Sequence, residues 1–320
     1  MLTGQLRVPG SALRSVGSCQ PENRISSAEL GAPFGKPADW IEGRTGIRSL
    51  RRLDARTTLI DMAAQAACTA LDRAMVAAAD IDVLLVASCS ANRTPGDDLA
   101  AALARRLGTR AAPLGINAAC SGFCYALSMA DSLIRTGLAR HVLIVAAEAM
   151  SDVLDGSDLG TSIIFGDGAG AAVVAASDDG RPAIGAPVWG SDGARADLIA
   201  IEDKALRMRG PDVFRWAVES VPEIAARACA QVGVAVEEID VFVPHQANLR
   251  ITDAVVRKLR LRADAVVATD IVESGNTSAA SIPIALDRLL TTGAVPSEAL
   301  ALLVGFGAGL AHAAQVVRLP

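Results

Sequence analysis

The chain has 320 residues, 51% of them hydrophobic and only 3% aromatic, with 30 basic against 35 acidic side chains and a formal net charge of −5. That length allows one or two domains with a large core. The acidic balance argues against general nucleic-acid binding, and no uncharged apolar run nears the roughly 18 residues of a membrane-spanning helix.

Short apolar runs alternate with Ala-rich amphipathic stretches, the pattern of an α/β fold with helices on both faces of buried strands. In chain order, the periodicity predicts a helix over Thr58–Ala77, a strand over Val83–Ala87, and helices over Leu99–Leu107 and Ser121–Thr136. Strands follow over Val142–Ala146 and Ala171–Ala175, then a helix over Pro211–Val232 and a strand over Val241–Val243. Helices over Ile251–Leu259 and Ser278–Leu290 and strands over Ala301–Val304 and Gln315–Arg318 complete the reading. Met1 to Gly10 lack the apolar stretch of a signal peptide, so a soluble, cytoplasmic protein is expected. The six cysteines (19, 68, 89, 120, 124 and 229) have no regular spacing and read as reduced thiols. Cys120-x3-Cys124 has no nearby His, so no metal site is expected.

The chain repeats itself. Ile81-Asp82-Val83-Leu84-Leu85-Val86 is echoed by Ile239-Asp240-Val241-Phe242-Val243, and the run from Phe165 to Val174 by the run from Phe306 to Val317. We therefore expect two α/β halves, residues 1–178 carrying a nucleophile and 179–320 carrying its partners, with the site where they meet.

Cys120 is the candidate nucleophile. It opens the helical stretch from Ser121, where unpaired N–H groups and the helix dipole are expected to favour thiolate over thiol. Pro244-His245-Gln246-Ala247-Asn248 and Ser274-Gly275-Asn276-Thr277-Ser278 supply a His and an Asn far away in sequence, as a folded nucleophilic site requires. Such a thiolate attacks a thioester. A neutral His N–H and an Asn amide can then donate to a malonyl thioester oxygen as it becomes an enolate. The Cys120 N–H and the Gly305–Gly309 loop are candidate donors for the second oxyanion. Taken singly, a core Cys, a loop His and a turn Asn would each be unremarkable; their order and flanks together point to acyl transfer.

In these stretches the chain resembles the β-ketoacyl-[acyl-carrier-protein] synthase III family of thiolase-fold condensing enzymes, especially its actinobacterial members. The matching residues are Asp39 to Ile47, the Cys120 segment, Ile164 to Gly170, Val243 to Ile251, Gly275 to Pro283 and Gly305 to Leu310. The resemblance implies duplicated βαβαβαββ halves in a five-layered αβαβα sandwich. It also implies a homodimer that uses no metal or organic cofactor and takes a coenzyme A thioester as substrate. The acyl group would pass from acyl-coenzyme A to Cys120 and condense with malonyl-carrier protein, releasing CO2. His245 and Asn276 would be the decarboxylation pair and Ala308 the second oxyanion donor. Trp40 and Arg44 would hold the adenine end of coenzyme A, and Gly210, Phe214, Ala247 and Asn248 would line the pantetheine tunnel. Arg215, Arg250, Arg257 and Lys258 would dock the acidic acyl carrier protein.

Two departures qualify the match. Leu159 stands where the family usually has an arginine packing on the adenine, and the Gly190–Met208 segment is short. Both suggest a secondary-metabolism paralogue whose acyl donor is carried on a protein. Thr94, where the family can carry a bulky aromatic, suggests room for a branched or longer starter. The competing readings are an acyltransferase delivering the Cys120 acyl group to a hydroxyl or amine, and a non-catalytic partner subunit.

Overall fold

The computed structural model describes residues 10–91 and 98–320. Thr94 lies outside them. The first half contributes strands β1 (Ser11–Cys19), β2 (Arg24–Ser26), β3 (Ser49–Arg51), β4 (Val83–Ala87), β5 (Ala112–Ile116), β6 (His141–Glu148) and β7 (Gly168–Ala176). The second contributes β8 (Val188–Gly190), β9 (Ile199–Glu202), β10 (Ala205–Met208), β11 (Val241–Pro244), β12 (Val266–Val267), β13 (Leu300–Phe306) and β14 (His312–Arg318). The helices are α1 (Ser27–Gly31), α2 (Ala38–Thr45), α3 (Leu59–Ala74), α4 (Leu99–Leu107), α5 (Gly122–Arg135), α6 (Leu159–Ser162), α7 (Gly210–Gln231), α8 (Leu249–Lys258), α9 (Ile271–Ser274) and α10 (Ser281–Thr291).

Two five-stranded sheets carry the core. The first runs β1-β7-β6-β4-β5 and the second β8-β14-β13-β11-β12. The pairings match position for position: β4 and β11 are parallel to both neighbours, while β7 and β14 are antiparallel to theirs. The echoed segments of sequence thus occupy the same places in the two sheets, which is the duplicated thiolase arrangement.

Strand alternation explains the layering, because successive side chains face opposite ways. Leu85, Val142, Ile144 and Val174 pack inward with Phe123 and Leu127 of α5, Ile284 of α10, and Val241 and Leu303 of the second sheet. Leu84, Val86, Leu143 and Val145 face α3 and α4 on one outside. Phe242, Leu302 and Val304 face α7 and α8 on the other. The order is therefore helices, sheet, helices α5 and α10, sheet, helices. Close packing of α10 on β7 needs a missing side chain at Gly170, where a Cβ would stand 2.6 Å from Pro283 Cγ.

The strongly apolar strands fall where the sequence places them, with ends shifted by a few residues. Thr58 is the N-cap of α3, accepting from the Asp61 amide, and the helix stops at Met75, which adopts φ +55°. The predicted helix from Ser278 opens instead with a 3-10 turn, Ser278–Ala280. β1 and β5 escape the apolar pattern. β1 buries serines by bonding them, Ser11 to Asp131 at 2.5 Å and Ser15 to the Ala70 carbonyl at 2.6 Å. β5 is an exposed edge strand and so tolerates Pro113. Among the described residues no helix is long and apolar enough to cross a membrane.

Candidate active site

The two helices of the middle layer begin at matching corners. Before α5, Asn117 Oδ1 accepts from the Ala119 amide at 3.2 Å, and Ala119 adopts φ +47°. Before α10, Asn276 Oδ1 accepts from the Ser278 amide at 2.8 Å, and Ser278 adopts φ +50°. Left-handed backbone at a non-glycine residue costs on the order of 1–3 kcal/mol and persists where the surroundings over-determine it. The two corners meet: Ser278 Oγ donates to Cys120 Sγ at 3.4 Å.

Cys120 occupies the 3-10 turn Ala119–Ser121 that leads into α5. The end of β13 lies directly against it. A Cβ on Gly307 would fall 2.7 Å from the Cys120 nitrogen and 3.1 Å from its Sγ, so this approach requires glycine.

His245 follows β11, and its amide donates to the Val304 carbonyl at 2.8 Å. Its Nδ1 lies 2.7 Å from Ser281 Oγ, which also accepts from the Gln246 amide at 3.3 Å. Gln246 braces this loop from below, donating to Pro244 and Ala268 carbonyls and accepting from the Ile271 amide. Phe306 meets the imidazole edge-on, with ring centroids 5.3 Å apart. The ring is almost wholly buried, at 3% exposure, and burial pushes its pKa down to about 3. Asn276 is pinned from the other half: its amide donates to Ile164, and its carbonyl accepts from Gly166. With Oδ1 occupied by Ser278, its NH2 end is the one free to serve a ligand.

A cavity of about 1170 Å³ joins these residues. Cys120, His245, Asn276 and Ala308 line it together with Gly210, Phe214, Ala247 and Asn248, and Trp40, Arg44, Arg215, Arg250 and Lys258 stand at its exposed end. Arg257 shares α8 but does not line it. Lys36 Nζ and the Arg44 guanidinium lie 5.0 and 5.6 Å from the Trp40 ring centre. Arg250 stands over Phe214 at 5.8 Å, and Lys258 donates to the Val218 carbonyl at 3.0 Å. Asn248 caps α8 and donates to the Arg44 carbonyl, joining α8 to α2. A separate depression of about 520 Å³ is lined by surface charges that are paired, Arg207 with Asp155 and Arg209 with Asp197.

The surroundings of Cys120 work against the expected resting thiolate. Burial pushes the Cys120 thiol up to about 12, and the nearby Glu148 carboxylate adds to the effect. Helix-dipole stabilisation is worth roughly 0.3–1 kcal/mol at a surface site. That is small beside the desolvation of a half-buried sulfur facing the cavity. Glu148 is fully buried and accepts from Ser88, Cys89 and Ser90.

Ser278, Ser281, Cys89, Gln246 and Glu148 escape the sequence reading. Single serines near helix starts look like ordinary caps. The available signal is the parallel between Asn117-Ala118-Ala119 and Asn276-Thr277-Ser278 at the two corners, which marks Ser278 as the counterpart of the residue beside Cys120.

Comparison with known proteins bears on the whole chain. The profile of 3-oxoacyl-[acyl-carrier-protein (ACP)] synthase III matches residues 114–193, and that of its C-terminal region matches residues 229–319. A β-ketoacyl-[acyl-carrier-protein] synthase III of Streptomyces lividans is 43% identical over 332 residues, covering 98% of this chain and 97% of its own. One from Mycobacteroides abscessus is 42% identical, covering 96% and 94%. Among solved structures, a priming β-ketosynthase of a polyketide biosynthetic pathway superposes with TM-score 0.93 at 42% identity, covering 99% of each chain. A 3-oxoacyl-[acyl-carrier-protein] synthase III of Aquifex aeolicus gives 0.91 at 34%, covering 97% and 100%.

Proposed function

The chain belongs to the 3-oxoacyl-[acyl-carrier-protein] synthase III family, and from that premise we propose that its cavity joins an acyl starter to malonyl-[acyl-carrier protein] by decarboxylative condensation. The observation that carries this reading is the convergence of Cys120, His245 and Asn276 on one cavity.

Cys120 Sγ forms a bond to the acyl carbon of a thioester, the carbon–sulfur bond of the donor breaks, and the Sγ proton goes to the departing thiol. His245, with its pKa pushed down to about 3, is a poor base for that proton. It serves as a donor. Ser281 Oγ accepts from the Gln246 amide and can direct its own proton to His245 Nδ1, leaving Nε2–H for the cavity. Nε2–H and the Asn276 amide then donate to the malonyl thioester oxygen. The bond to the carboxylate breaks, CO2 leaves, and its electron pair forms the enolate. The enolate carbon attacks acyl-Cys120. The Cys120 and Ala308 amides receive the new oxyanion, which collapses to the 3-oxoacyl product and expels the Cys120 sulfur.

Trp40 and Arg44 would meet the outer end of the donor, and Gly210, Phe214, Ala247 and Asn248 its pantetheine arm. Leu159 packs in the same apolar cluster as Trp40, which favours a donor delivered on a carrier protein over one gripped by its adenine. The exposed cations Arg215, Arg250, Arg257 and Lys258 suit an acidic carrier. The chemistry draws on thioester substrates and assigns no step to a resident cofactor. A homodimer fits the edge of the first sheet, where Ala112 to Gly115 are exposed on β5 and a second copy's β5 would extend the ladder. Donor kinetics with matched acyl-coenzyme A and acyl-carrier protein test the donor assignment, and a strong coenzyme A preference would refute it.

A further inference from the structure

One hydroxyl in the cavity is unused by the chemistry above. Ser278 Oγ stands between two sulfurs, 3.4 Å from Cys120 Sγ and 3.2 Å from Cys89 Sγ. Its amide is committed to Asn276 Oδ1 at 2.8 Å, and its backbone is held at φ +50°. The residue thus touches two catalytic groups, one through its backbone and one through its side chain.

Building on the thioester reading, we propose that Ser278 is a catalytic residue of the acylation step, its hydroxyl donating to Cys120 Sγ as negative charge develops there. The sulfur needs such a donor. Burial and Glu148 both oppose its ionisation, while the groups that ease it are the Ser278 hydroxyl and the Cys120 amide. Hydrogen bonds to a charged group are about twice as strong as neutral ones, so the contact strengthens as the reaction proceeds. Ser278 keeps its own proton throughout. The bond formed is Cys120 Sγ to the acyl carbon, the bond broken is that carbon to the donor sulfur, and the Sγ proton ends on that sulfur. The same donor serves the reverse event, when condensation expels Cys120. Cys89 completes the arrangement: an S–H donated to Ser278 Oγ leaves the hydroxyl proton directed at Cys120.

The test is site-resolved alkylation of Cys120 by iodoacetamide between pH 7 and 9, in wild type, Ser278→Ala and Ser278→Gly. It needs no substrate, so its result stands apart from the assigned reaction. Loss of the hydroxyl should slow alkylation about tenfold at each pH in both variants, and acylation by an acyl thioester similarly. Decarboxylation of a malonyl thioester, which does not use the sulfur, should fall by less than alkylation does. Glycine relieves the positive φ, so a folding defect shared with alanine is not expected. Unchanged alkylation in the two variants, or decarboxylation falling in parallel with it, would overturn the assignment.

Discussion

His245 Nδ1 lies 2.7 Å from Ser281 Oγ, across the boundary between the β11 loop and the first turn of α10. The contact sets which imidazole nitrogen carries the proton, and so whether the ring can donate into the cavity. In the proposed reaction, the half of the site that would break the carbon–carbon bond depends on this serine, while the half that would load the acyl group does not.

Replacing Ser281 by alanine should therefore split the two half-reactions. Malonyl decarboxylation is expected to fall roughly 10- to 100-fold, the scale of a lost buried hydrogen bond, with Cys120 acylation within about twofold of wild type. Separate assays of CO2 release and acyl-enzyme formation measure this. Equal losses in both would mean that Ser281 only supports the fold.

Gly307 has no room for a methyl group, because a Cβ there would press on the Cys120 backbone at 2.7 Å. Gly307→Ala should cost about 100-fold or more in acylation, since small displacements of a nucleophile carry losses of that order. Mass-spectrometric acylation kinetics beside a melting curve separate this from unfolding. Acylation within about tenfold of wild type, in a folded variant, would contradict the packing argument.

The buried imidazole also makes stability depend on pH. An unfolded chain protonates His245 near its ordinary 6.5, the native chain only near 3, so the unfolded state binds more protons between those values. Stability should fall as pH drops through that window, by up to about 1.4 kcal/mol per pH unit from this residue. Urea unfolding at pH 7 and pH 5 should show a loss about 2 kcal/mol smaller in His245→Gln than in wild type. Identical losses would show that the ring is not buried neutral.

Leu114 is 46% exposed on β5, an apolar residue on the open edge of the first sheet. If a second copy covers that edge, light scattering should find wild type at twice the mass of one chain. Leu114→Asp should then shift it toward a single chain. Wild type at the mass of one chain across the concentration range would refute this assembly.

The sequence exposes what depends on apolar pattern or on rare motifs. Val83–Ala87 and Val142–Ala146 read as buried strands because both faces are covered, and the structure covers them with α3 and α4 outside and α5 inside. Cys120, His245 and Asn276 stand out by residue type and flanks, and they line one cavity. Features that depend on a partner distant in sequence stay hidden. Ser11 and Ser15 look polar until Asp131 and the Ala70 carbonyl take their hydroxyls. The Cys120 thiol looks ionisable until burial and Glu148 are placed around it. Ser281 gives no sign of its role until α10 brings it to His245.

Intact-mass spectrometry tests the central claim most directly. The protein is incubated with a panel of acyl thioesters, on coenzyme A and on carrier protein, and then with malonyl-carrier protein. The prediction is an acyl adduct on Cys120 that disappears as a 3-oxoacyl-carrier product forms and CO2 is released, with Asn276→Ala and His245→Ala accumulating the adduct. An adduct stable to malonyl-carrier protein in the wild-type protein, or passed to a hydroxyl or amine without CO2, would contradict it.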